Sequence, residues 1–548
     1  MKKPKLEELT LREKIGQTCV GLIHFSKGNP EWFKQNPYGS LCGFRWQTNK
    51  PEVIENFKNY GYDIADIQNY SKNYSNWVKD VNNVLKVPAM SPFDAENGMA
   101  AQMPGCTQTA SASCIGSADS EELAYEIGKN IAMEAKVSGC NWIWGPYADN
   151  PGMLCGLAVL RNFSYDIDNI SKMTVAQIKG MQSVGVAATA KHFPGSDKTE
   201  YRDSHIQNSV ISSSLEEWEK HQAPSFKAAI DAGVYSIMVG HSAFPAMDST
   251  TIDGEYVPST LSYKIITEQL KGKMGFDGVV ITDGIGMRCL TSFYTGRKLY
   301  VELLKAGNDV ILGPEQDGYI DEVEKAVLEG ELPESRVDDA CMRVLNMKEK
   351  LGMFEDDFTM YGGVTEELLK ATEKTNREIT RRGITLVIDK TNQIPLNPEK
   401  VKKVAILYHG CADFAYDNLK YMVAEFEKHG AKADLRRSIT TPQDMHEVSQ
   451  NYDLIVYASY IGPHNPMGMP AFSGDDCKTF WWVLTEGKEK SIGVSLGYPF
   501  MYYNYYQTCP TYINTFGSSK ENVEECVKGM YGEFEISTTS PFPIKPEF

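Results

Sequence analysis

Short apolar runs alternate with amphipathic helical stretches along the first two thirds of the chain. This alternation is typical of parallel α/β folds, in which buried strands are followed by helices that cover the sheet. The pattern predicts strands at residues 40–44, 87–93, 141–147, 184–190, 235–240, 278–282 and 309–312, and helices at 120–137, 214–232 and 263–271. Seven such runs and a possible eighth, spread over about 350 residues, predict a TIM (β/α)8 barrel.

A polar residue stands where most of these predicted strands end. Asp94 follows the second strand, Asp149 the third, Lys191 and His192 the fourth, His241 the fifth, and Asp283 the sixth. Because the carboxyl ends of the strands meet at one rim of a (β/α)8 barrel, we expect these side chains to be neighbours there. That rim is where such barrels carry their active sites.

A second α/β pattern begins after a charged helical stretch at residues 366–382. It predicts strands at 403–408, 433–436, 454–459, 492–496 and 511–516, and helices at 416–429 and 477–486. This arrangement favours a smaller doubly wound, flavodoxin-like α/β domain. We therefore expect a barrel domain over residues 1–378 and a C-terminal α/β sandwich domain over 379–548.

Two features of this second region bear on ligands. No glycine-rich phosphate loop follows its first strand, where residues 408–411 read Tyr-His-Gly-Cys, so a nucleotide site is not predicted. The Gly- and Pro-rich segment 461–480, which contains His464, is predicted to be a loop. It either covers a cleft or lies on the surface without a role.

Composition narrows the possible partners. The formal net charge of −17 argues against nucleic acids and anionic membranes, because phosphate binding needs a basic surface. No apolar run approaches the roughly 18–20 residues that span a bilayer, and the N-terminal segment lacks the apolar core of a secretion signal. The twelve cysteines contain no C-x-x-C pair, so neither a disulfide scaffold nor a zinc ribbon is expected. We expect a cytoplasmic protein with a small-molecule partner, and the oligomeric state stays open.

The loop after the fourth strand carries an acid/base candidate. Asp203 and His205 stand at positions i and i+2, which in an extended segment point to the same side. A carboxylate beside an imidazole fixes its tautomer and suits it to proton transfer near neutral pH. The alternative interpretation of Asp203 and His205 is a solvated surface loop without a catalytic role.

Asp283 likewise has two interpretations. It either presents its carboxylate to the barrel mouth or caps a helix at the end of the strand.

Several motifs together resemble glycoside hydrolase family 3, in its β-N-acetylhexosaminidase branch. The segment K-H-F-P-G at 191–195 leads to D-S-H at 203–205, and T-D stands at 282–283. The resemblance implies that Asp283 is the nucleophile and that His205, oriented by Asp203, is the general acid/base. It extends to residues 9–17 and 512–519, so it covers both predicted domains.

The same resemblance implies a set of sugar-binding residues. The segment at 92–98, Pro-Phe-Asp-Ala-Glu-Asn-Gly, resembles the family's D-x-E-G-G, and Arg-Asn-Phe-Ser at 161–164 resembles its R-S-F-G. Asp94 and Arg161 would then hold the sugar, together with Lys191 and His192. The implied chemistry needs no cofactor and no metal ion.

The implied activity is that of a retaining exo-β-N-acetylhexosaminidase that forms a covalent glycosyl–Asp intermediate. Alternatives are a family 3 enzyme for another β-glycoside, such as a β-glucosidase, glycosyl transfer to phosphate, and a non-catalytic sugar-binding protein. Met99-Ala100 replaces the family's G-R-V-x-R, and the loop to Asp203 is one residue longer than in the family. These departures leave the N-acetyl preference and the gluco or galacto epimer open, and they keep His192, Asp197 and Glu200 as other possible acids.

Overall fold

A computed structural model describes residues 2–22, 28–43, 50–151, 155–158, 160–200, 202–314, 318–356, 358–410, 412–437, 439, 441–462, 471–472, 474–477, 480 and 486–544. The chain divides into two compact units. The first comprises residues 1–108, 124–150 and 174–372, and the second comprises 109–123, 151–173 and 373–548. The grouping of residues 109–123 and 151–173 with the C-terminal residues was not predicted from the sequence. The predicted boundary at 378/379 falls inside a helix, Glu366–Gly383.

The first unit contains a nearly closed barrel of eight parallel strands, as predicted. The strands are β1 (Cys19–Leu22), β2 (Ser40–Cys42), β3 (Pro92–Phe93), β4 (Trp142–Ile143), β5 (Ala187–Phe193), β6 (Ser236–Val239), β9 (Val279–Gly284) and β10 (Val310–Leu312). Their order around the barrel is β2-β1-β10-β9-β6-β5-β4-β3. A parallel bridge between Ser40 and Met90 links the two outer strands. A small antiparallel hairpin, β7 (Thr251–Ile252) with β8 (Glu255–Tyr256), follows β6.

Helices occupy the connections between the barrel strands. They are Leu11–Gln17, Pro51–Asn59, Tyr70–Val84, Glu121–Val137, Ile167–Ser183, Leu215–His221, Ala223–Asp231, Arg288–Thr291, Gly296–Ala306, Tyr319–Leu328 and Glu334–Lys350, with a π-helical segment at Lys264–Lys273. The helix predicted at 214–232 is two helices, because Pro224 lacks the N–H that a continuous helix would need there. Among the described residues, no helix is both long and apolar enough to cross a bilayer.

The second unit is built around a six-stranded sheet of the predicted doubly wound kind. Its strands are β11 (Thr385–Asp389), β12 (Lys403–His409), β13 (Lys432–Arg437), β14 (Leu454–Ser459), β15 (Ser491–Ser495) and β16 (Thr511–Asn514). The order is β11-β16-β15-β14-β12-β13, and only β11 is antiparallel to its neighbour.

Helices of this unit include Ala112–Ala118, Asp413–Lys428, Pro442–Asn451 and Lys520–Met530. Most of the helix predicted at 477–486 and most of the loop predicted at 461–480, including His464, lie outside the described residues.

Candidate active site

Strand β5 carries Lys191 and His192 at its carboxyl end. Its register against β6 shifts between Lys191 and Phe193, which is a β-bulge. Bulges re-aim side chains, and here both consecutive residues reach carboxylates of the barrel mouth. A Cβ on Gly240 would lie 3.0 Å from the Cβ of His192, so a glycine directly after β6 makes room for His192.

Lys191 is the centre of one charged group. Its ammonium lies 2.7 Å from Asp94 Oδ1 and 2.7 Å from Glu96 Oε1. The lysine side chain is 3% exposed, and a buried ammonium is tolerated only when it is paired. Asp94 is 45% exposed, so its carboxylate faces both the lysine and the open mouth. The pair therefore holds Asp94 where a ligand hydroxyl can reach it.

His192 lies between two carboxylates. Its Nδ1 is 3.4 Å from Asp149 Oδ2, and its Nε2 is 3.7 Å from Asp283 Oδ2. The buried Asp149 carboxylate also accepts the backbone N–H of His192 and the hydroxyl of Ser196, at 2.9 Å for the hydroxyl. Tyr147 packs edge-on against the imidazole, with ring centroids 5.3 Å apart. These contacts fix the orientation of His192 against Asp283.

Asp283 is presented at the end of β9. The N–H of Gly284 donates to Asp283 Oδ1 at 2.7 Å. Burial acts to raise the pKa of the Asp283 carboxyl, but the attraction of His192 and His241, the Gly284 N–H and the ammonium of Lys191 outweigh it. The pKa therefore lies below its ordinary value, and the group is a carboxylate at neutral pH. A persistent carboxylate at a barrel mouth can act as a nucleophile.

His241 lies two residues after strand β6 and is buried. Its Nδ1 lies 2.9 Å from Thr260 Oγ1, and its Nε2 lies 3.0 Å from the carbonyl oxygen of Gly284. Burial lowers the pKa of the imidazole, which is therefore neutral at pH 7. Thus the segment after β6 contacts the residue that follows Asp283.

Asp203 and His205 form a hydrogen-bonded pair. His205 Nδ1 lies 2.7 Å from Asp203 Oδ1, which also accepts the backbone N–H of His205 at 2.8 Å. Because the carboxylate accepts, Nδ1 carries a proton and Nε2 is the nitrogen that can exchange one. The imidazole is 51% exposed whereas Asp203 is 7% exposed. The backbone N–H of Arg288, in the segment after β9, donates to the carbonyl of His205 at 3.0 Å and so attaches this loop beside Asp283.

Asp197 and Glu200 hold the shape of the same loop. Asp197 accepts hydrogen bonds from the backbone and hydroxyl groups of Thr199 and Ser212. Glu200 pairs with the Arg202 guanidinium and accepts the N–H of Val210. Burial acts to raise the pKa of both carboxyls, but these hydrogen bonds lower it overall. Both groups are therefore poor proton donors, which leaves His205 and His192 as the candidates in this segment.

Arg161 belongs to the second unit, where its backbone N–H donates to the carbonyl of Ala158 at 3.0 Å. Its sugar-binding role stays a prediction. Glu96 was not predicted as a partner of Lys191. The signal was present, because Glu96 follows Asp94 by two residues, but the sequence alone does not reveal which cation the two carboxylates share.

Comparison with known proteins identifies the family. The model of the glycosyl hydrolase family 3 N-terminal domain matches residues 10–347. The chain belongs to glycoside hydrolase family 3. The resemblance seen in the sequence is thereby confirmed. Family membership makes the protein a glycosidase with a carbohydrate substrate.

Relatives within family 3 carry more than one named activity. A β-N-acetylglucosaminidase/β-glucosidase of Cellulomonas fimi is 24% identical over 503 residues, which are 85% of this chain and 85% of that protein. A β-hexosaminidase of Stenotrophomonas maltophilia (strain K279a) is 33% identical over 184 residues, which are 33% of this chain and 52% of that protein.

Solved structures share the two-domain fold over nearly the whole chain. Beta-glucoside phosphorylase BglX has a TM-score of 0.83 at 22% identity and covers 99% of this chain and 95% of its own. A family 3 β-N-acetylglucosaminidase from Paenibacillus sp. str. FPU-7 has a TM-score of 0.80 at 22% identity, with 98% and 99% covered. At these identities, the structural matches establish the fold.

Proposed function

We propose that this family 3 glycosidase is a retaining exo-β-N-acetylhexosaminidase that works through a covalent glycosyl–Asp283 intermediate. The observation that carries the proposal is the Asp203–His205 pair, joined at 2.7 Å and attached to the segment after β9. A carboxylate nucleophile needs a second group that first donates and later accepts a proton. An imidazole oriented by a carboxylate performs both tasks near neutral pH.

In the first step, Asp283 attacks the anomeric carbon, and the bond to the leaving oxygen breaks. His205 gives the proton on Nε2 to that oxygen, while Nδ1 keeps its own proton and its hydrogen bond to Asp203. In the second step, neutral His205 takes a proton from water through Nε2. The oxygen of that water attacks the anomeric carbon from the face from which the leaving-group oxygen departed. The bond between the anomeric carbon and Asp283 breaks, and the Asp283 carboxylate is released. Two inversions retain the anomeric configuration.

The glycone would be held by Asp94, Arg161, Lys191 and His192. The half-exposed Asp94 carboxylate can accept from sugar hydroxyls while the Lys191 ammonium keeps it in position. His192 lies against Asp283 and can bond a hydroxyl close to the reacting carbon. Arg161 would donate charge-assisted hydrogen bonds to a hydroxyl or to the amide oxygen.

A panel of nitrophenyl β-glycosides tests the substrate class. The panel contains the N-acetylglucosaminide, the N-acetylgalactosaminide, the glucoside and the galactoside. We expect the highest kcat/KM on an N-acetylhexosaminide, with β-configured product on first release. Higher kcat/KM on the glucoside would favour the β-glucosidase alternative. Binding of sugars without turnover of any member would favour a sugar-binding protein.

Transfer to phosphate is the second candidate function. A neutral imidazole does not repel an anionic acceptor as a carboxylate would, and His205 is half exposed. A solved structure with the same fold is named a β-glucoside phosphorylase. The same panel run with added inorganic phosphate distinguishes the two: faster turnover and a β-glycosyl phosphate product favour phosphorolysis, whereas free sugar at an unchanged rate favours hydrolysis.

A further inference from the structure

His241 is a buried imidazole held at both ring nitrogens. Thr260 Oγ1 lies 2.9 Å from Nδ1, and the Gly284 carbonyl oxygen lies 3.0 Å from Nε2. Thr260 is itself buried, and its carbonyl accepts the side-chain N–H of Asn308 at 2.9 Å. The imidazole therefore bridges β6 and β9 in a single orientation.

The partners also determine the tautomer. A carbonyl oxygen only accepts hydrogen bonds, so Nε2 must carry the proton that it donates to Gly284. The buried ring is neutral, and Nδ1 is then an acceptor for the Thr260 hydroxyl. His241 thus presents one N–H, at Nε2, to the carbonyl of Gly284, the residue that follows Asp283.

Gly284 transmits this contact to Asp283. Its carbonyl accepts from His241 and from the N–H of Met287 at 3.2 Å, and the next N–H, that of Ile285, donates to the carbonyl of Leu312 at 3.1 Å. A glycine has wide backbone freedom, so external bonds decide where its N–H points. Here that N–H points to Asp283 Oδ1 at 2.7 Å.

We propose that His241 is a positioning residue for Asp283, acting through the Gly284 peptide. The proposal rests on the proposed function, in which Asp283 is the nucleophile. With the Gly284 carbonyl fixed from the β6 side, its N–H stabilises the carboxylate and sets its angle of attack. Small misplacements of a reacting group are costly, on the order of 10²-fold for about 1 Å.

Several other groups act on Asp283 or lie near it. Lys191 and His192 from β5 lower the pKa of the Asp283 carboxyl, Cys289 lies in the segment after β9, and the loop of Asp203 and His205 is attached to that segment. None of the variants below changes any of these groups. His241 itself also lowers the pKa of the Asp283 carboxyl directly, so the comparison of His241→Leu with His241→Gln, rather than the acid limb alone, reports on the His241–Gly284 contact.

The test compares four variants in the full chain. His241→Leu has a side chain of similar size but removes the donor, and His241→Gln keeps an N–H near the position of Nε2, within reach of the carbonyl. Thr260→Val removes the hydroxyl that donates to Nδ1. Thr267→Val is the matched control, because its hydroxyl donates to the carbonyl of Ala306 in a helical segment away from Asp283. For each variant, kcat, KM, the pH profile of kcat/KM and the thermal midpoint are measured on a nitrophenyl glycoside.

We expect His241→Leu to reduce kcat by about 10- to 100-fold with KM nearly unchanged. Its acid limb should move up by about 0.5–1 pH unit, the equivalent of one weakened hydrogen bond to the carboxylate. His241→Gln should recover most of the rate, Thr260→Val should be intermediate, and Thr267→Val should keep the native profile. Equal losses in the Leu and Gln variants, or an acid limb that stays in place in His241→Leu, would overturn the proposal.

Asp283→Ala, measured in parallel, separates this proposal from the one on which it rests. If Asp283→Ala keeps more than about a tenth of the rate, the nucleophile assignment fails regardless of His241. If Asp283→Ala is inactive while His241→Leu has native kinetics, only the positioning role is wrong.

Discussion

The carboxyl ends of the parallel strands carry very different chemistry in the two units. In the barrel, Lys191, His192, His241 and Asp283 each have a charged or hydrogen-bonding partner on a neighbouring element. In the second unit, β12 ends in His409, which is fully buried. Among the described residues, neither ring nitrogen of His409 has a hydrogen-bond partner.

Aromatic rings surround His409 instead. The centroid of its ring lies 4.6 Å from that of Phe480, 6.1 Å from Tyr457 and 6.4 Å from Phe472. Burial lowers the pKa of His409 to about 3, so the ring is neutral at physiological pH. A histidine at the end of a strand is therefore suited to proton transfer only when hydrogen-bonding partners fix which ring nitrogen carries the proton.

Asp283→Ala should reduce turnover by about 10⁴-fold or more while the protein stays folded. The catalytic residues act together, so the loss of one of them removes most of the rate acceleration. His409→Leu, the matched change at the other kind of strand end, should leave kcat unchanged. Steady-state kinetics with circular dichroism checks both. An Asp283→Ala variant with more than about a tenth of native activity would remove the distinction between the two regions.

His205→Ala should be selectively harmful for poor leaving groups. Proton donation typically contributes about 10²–10⁴-fold, and a dinitrophenolate leaves without needing it. The rate loss should therefore be large on a methylumbelliferyl glycoside or a natural disaccharide and small on a dinitrophenyl glycoside, with partial rescue of the second step by azide. Asp203→Asn should give a milder version, because the ring loses its orienting acceptor. Equal losses for good and poor leaving groups would mean that His205 does not transfer the proton.

Lys191→Met should raise KM and destabilise the fold. The substitution leaves Asp94 and Glu96 without their shared cation, and we expect a loss of about 1.5–3 kcal/mol in the free energy of unfolding. Lys220→Met is the control, because Lys220 is exposed and pairs with the exposed Glu216. Such surface pairs contribute roughly 0–1 kcal/mol. Urea unfolding and substrate kinetics provide the readouts, and indistinguishable behaviour of the two variants would contradict the paired role of Lys191.

His409→Leu should stabilise the protein by about 1 kcal/mol at pH 7.5, because it removes a buried imidazole that has no hydrogen-bond partner among the residues that the structure describes. The gain should increase as the pH falls below about 6.5, where an unfolded histidine gains a proton that folded His409, with its pKa lowered to about 3, does not. The free energy of unfolding of the native protein should therefore decrease as the pH falls from 6.5 to 3, and that of His409→Leu should decrease less.

Urea unfolding at pH 7.5 and 5.5 checks this prediction. His446→Leu serves as the control, since His446 is 65% exposed. Equal pH dependence in the native protein and in His409→Leu would show that His409 is not held in its neutral form.

The sequence predicted the positions of β6 and β9 well and the extents of β3 and β4 poorly. β6 and β9 each contain a run of three apolar residues, at 237–239 and 279–281, and their positions agree with the predicted 235–240 and 278–282. β3 and β4 are two residues each, within predicted runs of seven. No range is predicted for β1, because Gly21 interrupts its four residues and they give little periodic signal.

The candidate site could be predicted from the sequence in part. Asp94, Lys191, His192, His241 and Asp283 could be found because strand ends converge in a barrel, whatever the details of the packing. The pairing of Lys191 with Glu96 and the Thr260–His241–Gly284 contact could not be predicted. Both depend on the distances between separate segments in the folded protein, which cannot be derived from a single sequence.

The central claim is that Asp283 forms the covalent intermediate, and trapping that intermediate tests it most directly. A 2-deoxy-2-fluoro β-glycosyl fluoride slows the second step, so the glycosyl-enzyme should accumulate and be visible by intact-mass spectrometry. Peptide mapping should then locate the sugar, as an ester, on the peptide that contains Asp283, and Asp283→Ala should remain unlabelled. A label on any other residue, or labelling of Asp283→Ala at the native rate, would contradict the assignment.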